Sequence, residues 1–240
     1  TLMGRDITFD QQGKYNLRIR KTLEAIYKHY DGDRTSDDFK ALEVYLKRVW
    51  FSSGIYHHYG CEKFKPGFSE HFFYEAVSLM PETELPLRRG ETKEDLLDEL
   101  VPVIFDEEVL PKRVNQTDGV DLVATSACNF YEDVTQDEVE RFYARLKDGE
   151  DLTPPSYGLN SKLMKRNGEI VEKTWKEEGM YGSAIKEIIS WLLKAQKYTE
   201  NEQQAHVIDL LIKYYRTGDL SDFDRYSIAW VKQQEGMVDF

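Results

Sequence analysis

Cysteine is scarce in this sequence, and long apolar runs and an excess of basic residues are absent. Cys61 and Cys128 are the only two cysteines in 240 residues, which excludes a disulfide scaffold or a zinc ribbon. We interpret both as free thiols in a reducing compartment, with a bond between them as the alternative. No apolar run is long enough to cross a membrane. Because 44 Asp and Glu residues outnumber 32 Lys and Arg residues, we exclude a general nucleic-acid binder, whose surface would be basic.

The spacing of common catalytic motifs is also missing. No G-x-S-x-G segment surrounds Ser126 or Cys128, which excludes a serine hydrolase built on that turn. No H-E-x-x-H segment occurs anywhere in the chain. His57 and His58 are adjacent, and adjacent side chains point in different directions, so they rarely hold one metal ion together. We interpret the acidic run 106–108 as a solvated helix end, because charge runs usually face water.

Hydrophobic periodicity predicts a chain of the α+β class that is predominantly α-helical. The length fits one large domain or two small ones. We expect residues 1–240 to form one mostly helical domain or lobe fragment, with a sub-boundary near 150–156. The predicted helices cover residues 15–30, 37–50, 69–79, 92–105 and 136–147, two strongly patterned segments after residue 182, and a shorter amphipathic segment at 222–231.

The predicted β component is small. A hairpin is expected near 162–175, because Asn167-Gly168 is a favoured two-residue turn between strands. A strand or extended segment is expected near 120–130, where β-branched and small residues are frequent.

The most informative stretch is the loop from Trp50 to Pro66, between two predicted helices. Gly54 and Gly60 allow a positive φ or the close approach of a ligand to the backbone. Tyr56 and Tyr59 offer broad apolar faces with polar tips, which suit contact with a peptide or another ligand. Loops on a rigid scaffold often carry function. The alternative is a corner that packs its aromatic rings onto the core.

The spacing of glycine, tyrosine, lysine and proline in this loop resembles the dipeptidyl peptidase III family. These enzymes are zinc-dependent exopeptidases that release dipeptides from the N-termini of peptides. The flanking segments 45–50 and 67–70 resemble the bacterial branch, and the resemblance extends along most of the chain. The residues that carry the pattern are Gly54, Tyr56, Tyr59, Gly60, Lys63, Phe64 and Pro66.

This resemblance implies a two-lobed enzyme with a wide cleft between the lobes. One lobe is helical and carries zinc through an H-E-x-x-G-H motif, and the chain resembles part of the other lobe. It contains no such motif. We therefore expect no catalytic residue, no bound metal and no activity in this chain alone, and we expect zinc in the full-length protein. The expected partners are an oligopeptide substrate and the remaining zinc-bearing lobe of the same protein.

The resemblance also implies substrate-binding residues. By position, His58, Tyr59 and Gly60 would line the cleft, where Gly60 admits a close backbone approach and Tyr59 packs on a substrate side chain. Asp239 takes the place of an acidic residue that faces the free N-terminal ammonium of the substrate. A carboxylate opposite an ammonium is a physical basis for selecting an N-terminus.

The sequence alone is compatible with other functions. The chain is alternatively a non-catalytic helical module that binds a peptide or protein through the same loop, or a metal-binding domain that uses its histidine pair. We expect a cytoplasmic protein, with a periplasmic or exported one as the alternative, because the chain does not begin with Met. The end of the sequence at Phe240 favours a truncated product.

Overall fold

The computed structural model describes residues 2–147 and 149–238, with side chains from residue 4 onward. It divides into two compact units, Thr1–Asn129 and Phe130–Phe240. The sub-boundary near 150–156 lies inside the second unit and stays a prediction. In the described part of the chain, no helix is both long and apolar enough to span a lipid bilayer.

The first unit is helical, and from its third α-helix onward each α-helix begins at a residue whose side chain caps it. The Ser36 hydroxyl accepts the amide N–H of Phe39, and Thr92 and Asp95 form the reciprocal capping box that their spacing predicts. The predicted helices of this unit are confirmed. The helices are α1 (Leu2–Gln12), α2 (Asn16–His29), α3 (Asp37–Ser52), α4 (Glu70–Leu79), α5 (Lys93–Phe105) and the short α6 (Leu122–Thr125).

The apolar faces of α1 to α5 meet in one core. Aromatic rings join α3 to the following segment, because Tyr45 and Phe68 lie edge to face with their centroids 5.5 Å apart. Phe68 also contacts Phe105 at the end of α5, at 5.6 Å. Each fully buried large side chain contributes roughly 1.5–3 kcal/mol. Core residues at most 1% exposed include Phe9, Ile19, Leu23, Ile26, Leu42, Leu46, Val49, Phe73, Leu96 and Leu100.

The segment 120–130 differs from its predicted strand. The Asp121 carboxylate accepts the amide N–H groups of Val123 and Ala124, which starts the helical turn α6. Such local bonds from Asp compete with strand pairing. The corresponding strand, β1, begins later and covers only Tyr131–Glu132.

The second unit combines a small sheet with helices. Strand β2 (Ser161–Arg166) pairs in parallel with β1 and antiparallel with β3 (Glu169–Thr174). The hairpin between β2 and β3 is confirmed, and its turn residues Asn167 and Gly168 have φ values of 52° and 84°, as a type I′ turn requires. The remaining elements are α7 (Gln136–Ala144), β2 (Ser161–Arg166), β3 (Glu169–Thr174), α8 (Gly182–Ala195), α9 (Glu202–Thr217) and α10 (Leu220–Lys232).

A buried carboxylate holds the last two helices together. Asp222 of α10 is 2% exposed, and it accepts Lys213 Nζ at 2.7 Å and the Thr217 hydroxyl at 3.0 Å. Burial by itself raises the pKa of Asp222, but bonds from Lys213 and Thr217 and the charge of Arg225 outweigh that effect. The pKa of Asp222 therefore lies below its usual value, and the carboxylate is charged in the folded unit.

Candidate peptide-binding site

The candidate site begins where α3 ends. Ser53 adopts a left-handed conformation with φ 56°, and Gly54 follows with φ 155°. The buried Asn16 side chain accepts the amide N–H of Ile55 at 3.3 Å. A Cβ atom on Gly54 would lie 2.1 Å from Asn16 Nδ2. Gly54 is therefore required for the close approach of the loop to α2.

Residues 55–64 then form a short hairpin. The amide of His57 donates to the Glu62 carbonyl at 2.8 Å, and the amide of Phe64 donates to the Ile55 carbonyl at 2.8 Å. The base of the hairpin is fixed in the core, because Tyr56 is 3% exposed and its hydroxyl donates to the Leu110 carbonyl at 2.9 Å. The hairpin is thus a rigid support for its exposed tip.

Lys63 ties the second arm of the hairpin to the C-terminus of α5. Its Nζ donates to the carbonyls of Val103 at 2.9 Å and Val109 at 2.7 Å, and also to that of Asp106. The last carbonyls of a helix lack partners within the helix, and a cation there is also favoured by the helix dipole. Burial lowers the pKa of Lys63. Lys63 is therefore a structural residue of the resemblance pattern.

The tip of the hairpin carries His58, Tyr59 and Gly60, the three predicted residues of the loop. Tyr59 is 84% exposed, and its ring centroid lies 4.0 Å from that of His58. His57 Nδ1 accepts the amide N–H of Gly60 at 3.2 Å, which fixes the backbone of the tip. Tyr59 and Gly60 are therefore exposed at the tip, and His58 beside them is half-buried.

Arg113 holds the backbone of the tip in place. This residue was not identified from the sequence. Its guanidinium donates to the His58 carbonyl at 3.1 Å and also to Gln12 Oε1. Its amide donates to the Cys61 carbonyl at 2.9 Å. No local pattern indicates this role, because Arg113 and His58 are 55 residues apart in the sequence.

Asp239, the predicted partner of a substrate ammonium, lies outside the described residues. Its role stays a prediction.

Cys61 lies at the base of the tip with φ 65°, and Arg113 Nη2 is 3.5 Å from its sulfur.

The described residues do not fit a zinc ion. They contain no group of three or more His, Cys, Asp or Glu side chains that could hold a metal. In the acidic run 106–108, Glu107 pairs with Lys65 at 2.6 Å, and the Asp106 side chain accepts the amide of Glu108. This run is exposed, as a solvated helix end should be.

A comparison with known protein families finds a match in part of the second unit. Residues 156–240 match the model of peptidase family M49. This match confirms the resemblance to the dipeptidyl peptidase III family. The loop 50–66 lies outside the matched M49 residues.

The fold is also similar to a solved structure of DPP III from Caldithrix abyssi. The TM-score is 0.55 at 16% sequence identity, and the match covers 98% of this chain. At this identity the similarity concerns the fold alone. The chain spans 31% of the length of that DPP III chain.

Proposed function

We propose that this chain is the substrate-binding part of a zinc-dependent dipeptidyl peptidase, which releases dipeptides from the N-termini of oligopeptides in the cytoplasm. The single observation that carries the proposal is the exposed tip His58-Tyr59-Gly60 on a hairpin that the core holds rigidly. The M49 match supports a peptidase of this family.

The loop pattern divides into residues that build the hairpin and residues that face solvent. Gly54, Tyr56 and Lys63 have structural roles through a close approach, a buried ring and three carbonyl contacts. Tyr59 has no such role, because 84% of its surface is exposed. An exposed tyrosine on a rigid support loses little conformational freedom when it packs on a peptide. The pattern therefore supports peptide contact at Tyr59 and Gly60.

The proposal includes two further parts outside the described site. Asp239 would face the substrate ammonium, since a carboxylate next to a cation is a strong hydrogen-bonding partner. The zinc ion would belong to the remaining lobe of the same protein, where it would polarise the scissile carbonyl and activate water. The isolated chain would then bind peptide without cleaving it.

A peptide titration of Tyr59→Ala tests the role of the tip. The matched control is Tyr198→Ala, because Tyr198 is 86% exposed on the second unit. We expect Tyr59→Ala to weaken binding of a fluorescent oligopeptide by about tenfold, as loss of an aromatic anchor does, and we expect no change for Tyr198→Ala. Equal affinities of the two variants would contradict the proposal.

A second candidate function is a non-catalytic module that binds peptides or proteins. It is favoured by the construction of the tip, which uses only residues of the first unit, including Arg113 and Gln12. Peptide binding there would not require another lobe. A chelator separates the two functions, since only the peptidase loses an activity when its metal is removed.

A further inference from the structure

The outer face of α3 forms an open groove with the hairpin. Val44, Arg48 and Phe51 follow the helical spacing i, i+4 and i+7, so they lie on one face. This face points away from the core, since Val44 is 51% and Phe51 is 81% exposed. The groove has a volume of about 650 Å³, and Phe64 and the two histidines of the loop line its other side.

Aromatic rings make the groove continuous with the tip. The ring of Phe51 lies 5.7 Å from that of His58, and His58 is in turn 4.0 Å from Tyr59. On the inner side, the ring centroids of His57 and Phe64 are 6.1 Å apart. A large exposed apolar patch with a polar rim is typical of an interaction site. A ligand held at Tyr59 would therefore extend along Phe51.

The charge of the groove is opposite to that of the chain as a whole. The chain has a formal net charge of −12, yet the described residues that line the groove include Lys47 and Arg48 and no carboxylate. Lys47 pairs with Glu43 at 2.6 Å. Among the described residues, no carboxylate forms an ion pair with Arg48. The guanidinium of Arg48 is thus available to a ligand carboxylate.

We propose that this groove binds peptides in which an apolar side chain lies next to a carboxylate. The apolar side chain would pack on Phe51 and Phe64, and the carboxylate would pair with Arg48, whose planar guanidinium suits bidentate contact. The inference rests on the proposed function, because it names the class of peptide that the loop holds. It adds Arg48 and Phe51 as specificity-determining residues.

Two matched peptides test the inference on the full-length protein. One has the sequence Ala-Ala-Glu-Phe-Glu and the other Ala-Ala-Gln-Phe-Gln, each with a fluorophore on its C-terminus. EDTA prevents cleavage, and fluorescence anisotropy measures both dissociation constants. We expect the glutamate peptide to bind about fivefold more tightly at low salt, the order of magnitude for one partly exposed ion pair. Added salt should reduce this preference.

The decisive variants are Arg48→Glu and Arg89→Glu. Arg89 is the control, because it is an exposed arginine of the same unit outside the groove. Arg48→Glu should abolish the preference for the glutamate peptide, since like charges oppose its binding. The affinity for the glutamine peptide should stay within about twofold. Arg89→Glu should keep the preference. Arg48→Gln, which introduces no new charge, should also lose it.

The outcomes separate this inference from the proposed function. Equal binding of both peptides by the wild type, with both weakened by Tyr59→Ala, would overturn the groove proposal and leave the proposed function intact. Loss of the preference in Arg89→Glu as well as in Arg48→Glu would also overturn the groove proposal. Binding of neither peptide would contradict both.

Discussion

Replacement of Lys63 by methionine should destabilise the first unit. The substitution keeps an unbranched stem of similar size and removes the ammonium that donates to the carbonyls of Val103, Asp106 and Val109. The bonds to Val103 and Val109 are partly buried, whereas the bond to Asp106 is exposed. Only the two partly buried carbonyls lose partners that water replaces poorly.

The expected cost follows from these two bonds. A hydrogen bond contributes about 1 kcal/mol net, and more when one partner is charged. Part of this gain is offset in the wild type, because burial of the ammonium is itself unfavourable and lowers the pKa of Lys63. We therefore expect Lys63→Met to reduce the free energy of unfolding by about 2 kcal/mol.

Urea unfolding followed by far-UV circular dichroism measures this change. Lys65→Met is the matched control, because the Lys65 side chain is 76% exposed and pairs with the exposed Glu107. Hydrogen exchange gives a local measurement: the exchange rates of the α5 amides should increase in Lys63→Met and not in Lys65→Met. The same unfolding midpoint and exchange rates in both variants would refute the structural role of Lys63.

Three further substitutions test separate parts of the structure. Gly54→Ala should destabilise the first unit by about 2 kcal/mol in urea unfolding, because φ is 155° and the new Cβ would meet Asn16. Gly60→Ala should leave that midpoint unchanged, because the three heavy atoms nearest a new Cβ belong to the flexible Glu62 side chain, but it should weaken peptide binding in a titration. Asp222→Asn should destabilise the second unit by about 2 kcal/mol at neutral pH. Because the folded pKa of Asp222 is lowered, the stabilisation by its charge is present above the usual Asp pKa and is lost as the pH falls through the lowered value. Wild type and Asp222→Asn should therefore converge in unfolding free energy in acid, and a constant difference at every pH would contradict this.

The starts of α3 and α5 and the hairpin were predictable because their causes are local, whereas α1 was not predicted. The cap at Ser36 and the box of Thr92 and Asp95 depend on bonds between residues three apart. The turn Asn167-Gly168 depends on two residues with positive φ. The strand near 120–130 was mispredicted, because β-branched composition indicated a strand while the Asp121 side chain capped a helical turn there.

The candidate site was predictable only in part. The resemblance indicated His58, Tyr59 and Gly60, and the structure places them together on one tip. Arg113 could not be found, because its contact with His58 joins residues 55 positions apart. Phe51 lies beyond the predicted helix end at residue 50, and its place on the outer face of α3 follows from the observed end of that helix at Ser52.

The groove beside the tip shows why residue type alone is insufficient. Arg48 is one of many basic residues in the sequence, and its position beside Phe51, in a groove whose described lining has no carboxylate, is what suggests a ligand. The neighbourhood of Arg48 depends on the packing of the hairpin beside α3, which residue type does not indicate.

The decisive measurement is release of N-terminal dipeptides from a short peptide by the full-length protein, with and without a zinc chelator. We expect dipeptide release that the chelator abolishes and that Tyr59→Ala reduces, while Tyr198→Ala retains the wild-type rate. No release by the wild-type protein, or release that the chelator does not affect, would contradict the assignment of this chain to a zinc-dependent dipeptidyl peptidase.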